Sequence, residues 1–133
     1  MKETLDSLFN STKAGDIYWI TGNSGAGKTF LAKIMNDGRR DTVILDGDYI
    51  RQIWPDLRFS KEDRTENNLR VARLAKMLSM QGVTVIVSTI CPYVELRKQI
   101  KEITKCKFIY LSGGKEPTEE YPYEQRSVEE VGD

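Results

Sequence analysis

Four short apolar runs, rich in β-branched and aromatic residues, recur along the chain. A strand with one solvated face alternates apolar and polar residues, whereas these runs are apolar almost throughout. That pattern is typical of strands buried on both faces of a parallel sheet. We therefore predict strands at Ile17–Thr21, Thr42–Leu45, Val83–Val87 and Lys107–Leu111.

Segments with helical spacing of apolar residues separate these runs. They predict helices over Lys28–Met35, over Glu62–Gln81 with Gly82 as C-cap, and over Tyr93–Ile103 after Pro92. A short helix is also expected over Met1–Phe9. Because strands and helices alternate, the fold class is α/β: a doubly wound parallel sheet of about four to five strands with helices on both faces.

The periodic pattern stops after Leu111. Residues 112–133 hold turn-forming residues, two prolines, seven acids and only two bases, a net charge of −5. The whole chain is neutral, so the remaining residues carry +5. We expect one domain over residues 1–111, whose basic character suits small anions, and an acidic C-terminal loop or tail over residues 112–133. For the tail itself, a merely solvated segment is an equally good interpretation.

Composition excludes several classes of function. The chain has 133 residues, room for one domain, and no histidine, which excludes Ser-His-Asp and Cys-His nucleophiles and His-ligated metals. Two cysteines are too few for a disulfide framework or a four-cysteine zinc site. Zero net charge argues against a general nucleic-acid binder. Without a membrane-length apolar run or a signal peptide, we expect a cytoplasmic protein with no membrane or nucleic-acid partner.

A glycine-rich loop lies between the first strand and the first helix. Its sequence, Gly22-Asn23-Ser24-Gly25-Ala26-Gly27-Lys28-Thr29, fits the phosphate-loop pattern G-x-x-x-x-G-K-[ST] in the required strand-loop-helix context. The glycines let backbone N–H groups converge on phosphate oxygens at a helix N-terminus. Lys28 would reach the β- and γ-phosphates, and the Thr29 hydroxyl would bind Mg²⁺. ATP and Mg²⁺ are the expected ligands, and the fold is that of P-loop nucleoside triphosphate hydrolases.

A second acid should accompany this loop, and two aspartates are candidates. The third strand ends in Ser88-Thr89 and offers no acid, whereas Asp46 and Asp48 follow the second strand. Ligands bind at the carboxyl edge of such a sheet, so both aspartates should face the phosphate loop across a cleft. An alternative for Asp48 is the N-cap of a helix over Tyr49–Trp54, which is compatible with a functional Asp46.

Four ordered segments follow the loop: Leu45-Asp46-Gly47-Asp48-Tyr49-Ile50-Arg51, Asp56-Leu57-Arg58-Phe59-Ser60, Asp63-Arg64-Thr65-Glu66-Asn67 and Ser88-Thr89-Ile90-Cys91-Pro92-Tyr93. Together they resemble motifs of the adenylylsulfate (APS) kinases. That family carries L-D-G-D-x-x-R, D-L-G-F-S, D-R-x-E-N and S-F-I-S-P-Y, and the resemblance covers about residues 15–111. It implies transfer of the ATP γ-phosphate to a sugar hydroxyl of a nucleotide-like acceptor, with a homodimer as an allowed assembly.

The resemblance also implies roles for individual residues. Lys28 and Asp46 would be catalytic, and Thr29 and Asp46 would hold Mg²⁺. A polar stripe at helical spacing opens the long predicted helix: Asp63, Glu66, Asn67 and Arg70. By itself, this stripe is better explained as a solvated face. The resemblance implies that Arg64 and Asn67 bind the acceptor, and it leaves the role of Arg70 undecided. The acceptor, a small anionic nucleotide-like molecule, would contact Asp48, Arg51, Phe59, Arg64, Asn67, Ser88 and Ile90.

The chain departs from the family pattern at several points. Cys91 stands where some members are proposed to carry a phosphoserine, so we expect direct in-line transfer. Thr89 replaces a phenylalanine, Arg58 replaces a glycine, and the stretch between Arg51 and Asp56 is one residue short. The family's lid (K-x-L-Y-K-K-A-R), the phenylalanine that completes its base clamp, and its last strand and helix have no counterpart after Leu111.

These departures leave two functions open. One is a kinase that phosphorylates adenylylsulfate or a related nucleotide conjugate, and the other is a lidless ATP-binding module with a regulatory or scaffolding role. For a kinase we expect an open site in the monomer and, because closing lids exclude water, appreciable uncoupled ATP hydrolysis.

Overall fold

The apolar runs form a four-stranded parallel sheet. The structure, a computed structural model, describes residues 13–132, so the helix expected over Met1–Phe9 lies outside the described residues. The strand order is β2-β3-β1-β4, and Trp19 of the central strand β1 stands between Val87 of β3 and Phe108 of β4. The bounds are β1 Ile17–Thr21, β2 Thr42–Asp46, β3 Thr84–Ser88 and β4 Lys107–Tyr110.

Three helices of eight or more residues connect the strands, as predicted. The longest begins after Ser60, whose hydroxyl accepts a hydrogen bond from the Asp63 backbone N–H, and it ends at Ser79. Its C-cap is Met80, so the prediction of Gly82 as C-cap is wrong; Gly82 lies in the turn that follows, where its φ of 88° favours glycine. None of the helices in the described part of the chain is both long and apolar enough to cross a membrane. The helices are α1 Lys28–Asn36, α2 Gly47–Ile50, α3 Lys61–Ser79, α4 Val94–Thr104 and α5 Val128–Val131.

Helices cover both faces of the sheet, which confirms the doubly wound α/β prediction. Successive strand residues point to opposite faces, so Trp19 and Ile20 enter different cores. The Trp19 face packs against α3 and α4, and the Ile20 face packs against α1. The first core includes Ile17, Trp19, Leu45, Val71, Ala72, Ala75, Val85, Val87, Leu96 and Ile100, and the second includes Ile20, Ala32 and Ile86.

The N-cap assigned to Asp48 is wrong. Asp46 caps α2, because its Oδ1 accepts a hydrogen bond of 3.0 Å from the Asp48 backbone N–H. Strand β2 therefore turns directly into a four-residue helix that ends at Ile50 instead of continuing to Trp54. Asp46 thus combines a cap with its place at the carboxyl edge of the sheet.

The acidic C-terminal segment is largely irregular, as predicted, but it is not a solvated tail. It runs back along the carboxyl edge of the sheet and ends in α5, where Ser127 and Glu130 form a capping box. The Glu130 side chain is 5% exposed and forms an ion pair of 2.6 Å with Arg97 of α4, whose side chain is 0% exposed. The solvated-segment alternative is wrong because this segment carries the only carboxylate among the described residues that pairs the buried Arg97 guanidinium.

Candidate functional site

The phosphate loop has the backbone that its glycines predict. Gly25 and Gly27 take φ values of 84° and 98°, in the region that disfavours side chains. A Cβ on Gly22 would lie 2.7 Å from the Leu111 carbonyl oxygen, so that glycine allows the loop to pack beside the end of β4. Five loop residues line a large cleft (Ser24, Gly25, Gly27, Lys28 and Thr29), whereas Gly22, Asn23 and Ala26 do not line it.

Lys28 is the cation of the loop. Its Nζ donates a hydrogen bond of 3.1 Å to the Asn23 carbonyl, within the loop itself. Burial lowers the pKa of Lys28, and the nearby carboxylates of Asp48 and Asp46 partly offset that shift. A partly desolvated ammonium attracts phosphate more strongly than one in bulk water.

Asp46 and Thr29 meet across the cleft. The Thr29 hydroxyl donates to Asp46 Oδ2 at 2.7 Å, so α1 and the end of β2 are joined at this point. These are hard oxygen donors, and Mg²⁺ in phosphate sites takes one or two protein oxygens besides phosphates and waters. The pair therefore fits a magnesium ion. No cluster of three or more acidic or cysteine side chains capable of holding a metal occurs within residues 13–132.

Two arginines and a phenylalanine form the opposite side of the cleft. The guanidinium of Arg51 lies 4.6 Å from the Phe59 ring centroid, and that of Arg64 lies 5.6 Å from it. Backbone carbonyls hold both arginines: Arg58 accepts from Arg51 at 2.9 Å, and Phe59 accepts from Arg64 at 2.6 Å. Burial, and next the positive charge of Arg64, lowers the pKa of Arg51. Two like charges held this close favour an anion between them.

The remaining acceptor-site candidates line the same cleft. Asn67 and Ser88 are buried, and Ile90 is half-buried. Arg70 does not line the cleft: it pairs with Glu66 at 3.3 Å and stacks over the Trp54 ring. The cleft, about 860 Å³, thus joins the phosphate loop to every residue assigned above to the acceptor: Asp48, Arg51, Phe59, Arg64, Asn67, Ser88 and Ile90.

The C-terminal segment also reaches the cleft, which the sequence analysis did not predict. The Asn23 side-chain amide donates to the backbone carbonyls of Lys115 and Tyr121, both at 3.0 Å. Arg64 Nη2 donates to the Glu120 carbonyl at 3.2 Å. Residues Glu119, Glu120 and Tyr121 therefore form part of one wall of the cleft, which narrows the expected open site there, while Gly25, Gly27 and Thr29 of the phosphate loop stay exposed. Tyrosines in an otherwise polar segment were the available signal.

Cys91 lines the cleft without being a reactive thiol. It is fully buried, and burial raises its pKa far above the ordinary value, so the thiol stays protonated and is a poor nucleophile. The Cys91 carbonyl instead accepts a hydrogen bond from Arg97 Nη1 at 3.0 Å. Direct in-line transfer therefore stays the prediction for this chain.

Comparisons with known proteins point to one family. The sequence profile of the adenylylsulphate kinase family matches residues 14–116. A probable adenylyl-sulfate kinase of Pyrococcus abyssi is 44% identical over 103 residues, which are 73% of this chain and 59% of that protein. The Mycobacterium tuberculosis APS kinase solved with AMPPNP and APS superposes with a TM-score of 0.62 at 32% identity, over 74% of this chain and 62% of that one.

A second solved structure concerns assembly. The hexameric APS kinase from Thiobacillus denitrificans matches 94% of this chain and 27% of its own, with a TM-score of 0.67 and 28% identity. The chain spans just over half the length of the curated relatives it matches, between 53% and 59% for three of them. The family profile nevertheless covers most of the chain, including every motif of the cleft. The chain therefore belongs to the adenylylsulphate kinase family.

Proposed function

We propose that this protein is an ATP-dependent phosphotransferase that moves the γ-phosphate of ATP to a hydroxyl of adenylylsulfate or a related nucleotide conjugate. The observation that carries the proposal is the shared cleft. A phosphate loop with an acid at hydrogen-bond distance forms one end, and a pair of arginines forms the other. A protein that only binds ATP has no need of the second end.

The chain's own groups would divide the work of transfer. Lys28 and the loop N–H groups bind the β- and γ-phosphates and neutralise charge that develops there. Mg²⁺, held by Thr29 and Asp46, would supply further neutralisation when bound. Asp46 would also accept the proton of the acceptor hydroxyl.

On the acceptor side, Arg51 and Arg64 would bind an anionic group between them, and Asn67 would donate a further hydrogen bond. Phe59, which is 64% exposed, offers a ring face for a base. The Arg51 guanidinium already lies over the Phe59 ring. A base that stacks on Phe59 would therefore either share the ring with this guanidinium or displace it. Asp48, Ser88 and Ile90 would complete the pocket.

An acceptor panel tests the proposal. Purified protein receives γ-labelled ATP with adenylylsulfate, AMP, or nucleoside diphosphate-linked sugars, and label in each acceptor is measured against a Lys28→Ala control. We expect label in an acceptor that combines a nucleotide with a second anionic group, and none with the control. Tight ATP binding without transfer to any acceptor would favour the regulatory or scaffolding module instead.

A further inference from the structure

The indole of Trp54 does not line the cleft, but it contacts Asn67, which does. Trp54 lies in the turn after α2, in the stretch between Arg51 and Asp56 that departs from the family spacing. Its Nε1–H donates a hydrogen bond of 2.6 Å to Oδ1 of Asn67. Arg70 stacks over the other part of this side chain, 5.4 Å from the ring centroid, and is itself held by Glu66.

This contact fixes which end of the Asn67 amide meets the indole. An indole nitrogen can only donate a hydrogen bond, so the atom that meets it has to be the amide oxygen. Asn67 is only 2% exposed, yet it lines the cleft. Its Nδ2 donates to no protein group among residues 13–132. Two N–H bonds of a buried amide are thus left for a ligand in the cleft.

The neighbouring amide, Asn68, lines the same cleft but has both its oxygen and its nitrogen engaged by the protein. Trp19 Nε1 donates to Thr89 Oγ1 at 2.9 Å, and that hydroxyl donates to Asn68 Oδ1 at 2.7 Å. Asn68 Nδ2 then donates to the Arg64 carbonyl at 2.8 Å, so both ends of this amide are used inside the protein. Of the two consecutive buried asparagines, Asn67 is therefore the one whose Nδ2 makes no hydrogen bond to the described part of the protein, whereas Asn68 Nδ2 already uses one of its two N–H bonds.

We propose that Trp54 is a positioning residue for acceptor binding: it holds the Asn67 amide so that both Nδ2–H donors point at an oxyanion of the acceptor. The proposal rests on the proposed function for the existence of that acceptor. Without the indole N–H, the amide could turn over and present its oxygen, which repels an oxyanion. Arg51 and Arg64 carry the charge, and Asn67 adds a donor of fixed direction.

A double-mutant cycle on acceptor affinity tests this role. Adenylylsulfate binding is measured by calorimetry in the presence of a non-hydrolysable ATP analogue, for wild type, Trp54→Phe, Asn67→Ala and the double variant. Trp54→Phe keeps an aromatic ring and removes only the indole donor. We expect it to weaken binding about tenfold, the scale of one hydrogen bond to a charged group, and to leave ATP affinity within about twofold. In the Asn67→Ala background it should cost nothing further, because Trp54 acts through Asn67.

An NMR measurement adds a readout that packing alone would not move. The chain has two tryptophans, so two indole N–H signals are expected, and Trp54→Phe identifies one of them. Asn67→Asp keeps an oxygen for Trp54 while removing the donors. It should retain a hydrogen-bonded Trp54 signal and still lose acceptor affinity, whereas Asn67→Ala should shift that signal upfield.

The possible failures are distinct. Equal losses on Trp54→Phe in both backgrounds, or a Trp54 signal that ignores Asn67→Ala, would overturn the positioning role while leaving the kinase intact. Wild-type protein that binds ATP but no adenylylsulfate or other conjugate of the acceptor panel would overturn the proposed function itself.

Discussion

Removal of the Glu130 carboxylate should destabilise the protein far more than its place in an acidic, irregular segment suggests. Glu130→Ala leaves the buried Arg97 guanidinium without its counter-ion, which now lies 2.6 Å away. It also removes the acceptor of the Tyr110 hydroxyl, 2.8 Å from Glu130 Oε2. Arg97 keeps carbonyl partners, including that of Glu124 at 2.8 Å, so its desolvation is only partly uncompensated.

These contacts set the expected magnitude. Breaking a buried pair by removing one partner costs about 3–5 kcal/mol, and the remaining carbonyl bonds favour the lower end, about 3 kcal/mol. Unfolding entropy is about 2.1 cal/mol/K per residue, or about 280 cal/mol/K for this chain of 133 residues. The melting temperature should therefore fall by about 11 °C.

Thermal and urea unfolding, followed by circular dichroism, measure the loss, and the neighbouring acid supplies a matched control. Glu129 pairs with Lys98 at 2.9 Å but its side chain is 78% exposed, so Glu129→Ala should cost less than about 1 kcal/mol. If the melting temperatures of both variants lie within about 2–3 °C of wild type, each carboxylate contributes about 1 kcal/mol at most, and the Glu130–Arg97 pair is not the strong stabilising contact inferred here.

The Glu130–Arg97 ion pair also predicts how the stability of the protein changes with pH. Burial alone would raise the pKa of Glu130, but hydrogen bonds from Arg97, the Ser127 backbone and Tyr110 outweigh it and lower the pKa to about 2. A depressed carboxyl pKa means that its stabilisation is complete above the ordinary value of 4.5 and is lost as the pH falls towards 2. The gap in stability between wild type and Glu130→Ala should therefore narrow across that window, and a constant gap would contradict the assignment.

Three further predictions concern the cleft. Lys28→Ala should remove most Mg²⁺·ATP affinity, because the β- and γ-phosphates lose the loop's cation; titration calorimetry showing equal affinities would disprove the phosphate-loop assignment. Arg64→Ala should raise the acceptor KM with little effect on the KM for ATP, and steady-state kinetics showing the reverse would place Arg64 at the nucleotide. ADP release without acceptor should form a sizeable share of total turnover, since Gly25, Gly27 and Thr29 remain exposed; strict acceptor dependence would show that the C-terminal segment excludes water.

The sheet was predictable because its signal is local. Continuous apolar runs such as Ile17–Thr21 identify strands buried on both faces without any knowledge of their partners, and the structure shifts their ends by no more than one residue. The loop before Lys28 was equally local, since spacing and context define it. The N-cap alternative at Asp48 was wrong because a helix can start directly after Asp46 as well as after Asp48, and local sequence does not show which start the end of β2 allows.

The contacts of the C-terminal segment were not predictable for a related reason. Asn23 bonds to a carbonyl 98 positions away, and Arg97 pairs with a carboxylate 33 positions away. Such polar contacts have no periodicity, and an arginine beside the apolar Leu96 gives no sign of which acid will neutralise it. The role of Trp54 was hidden in the same way, because its donor meets Asn67 from a turn without regular structure.

The most direct test of the account is transfer of labelled γ-phosphate from ATP to adenylylsulfate, compared between wild type and Asp46→Asn. Calorimetry first establishes that both proteins bind ATP, and Asp37→Asn, at an exposed position outside the cleft, serves as the control. We expect transfer by wild type and by the control, and a loss of about 10²-fold or more for Asp46→Asn with nearly unchanged ATP affinity. Transfer by Asp46→Asn at the wild-type rate would contradict it.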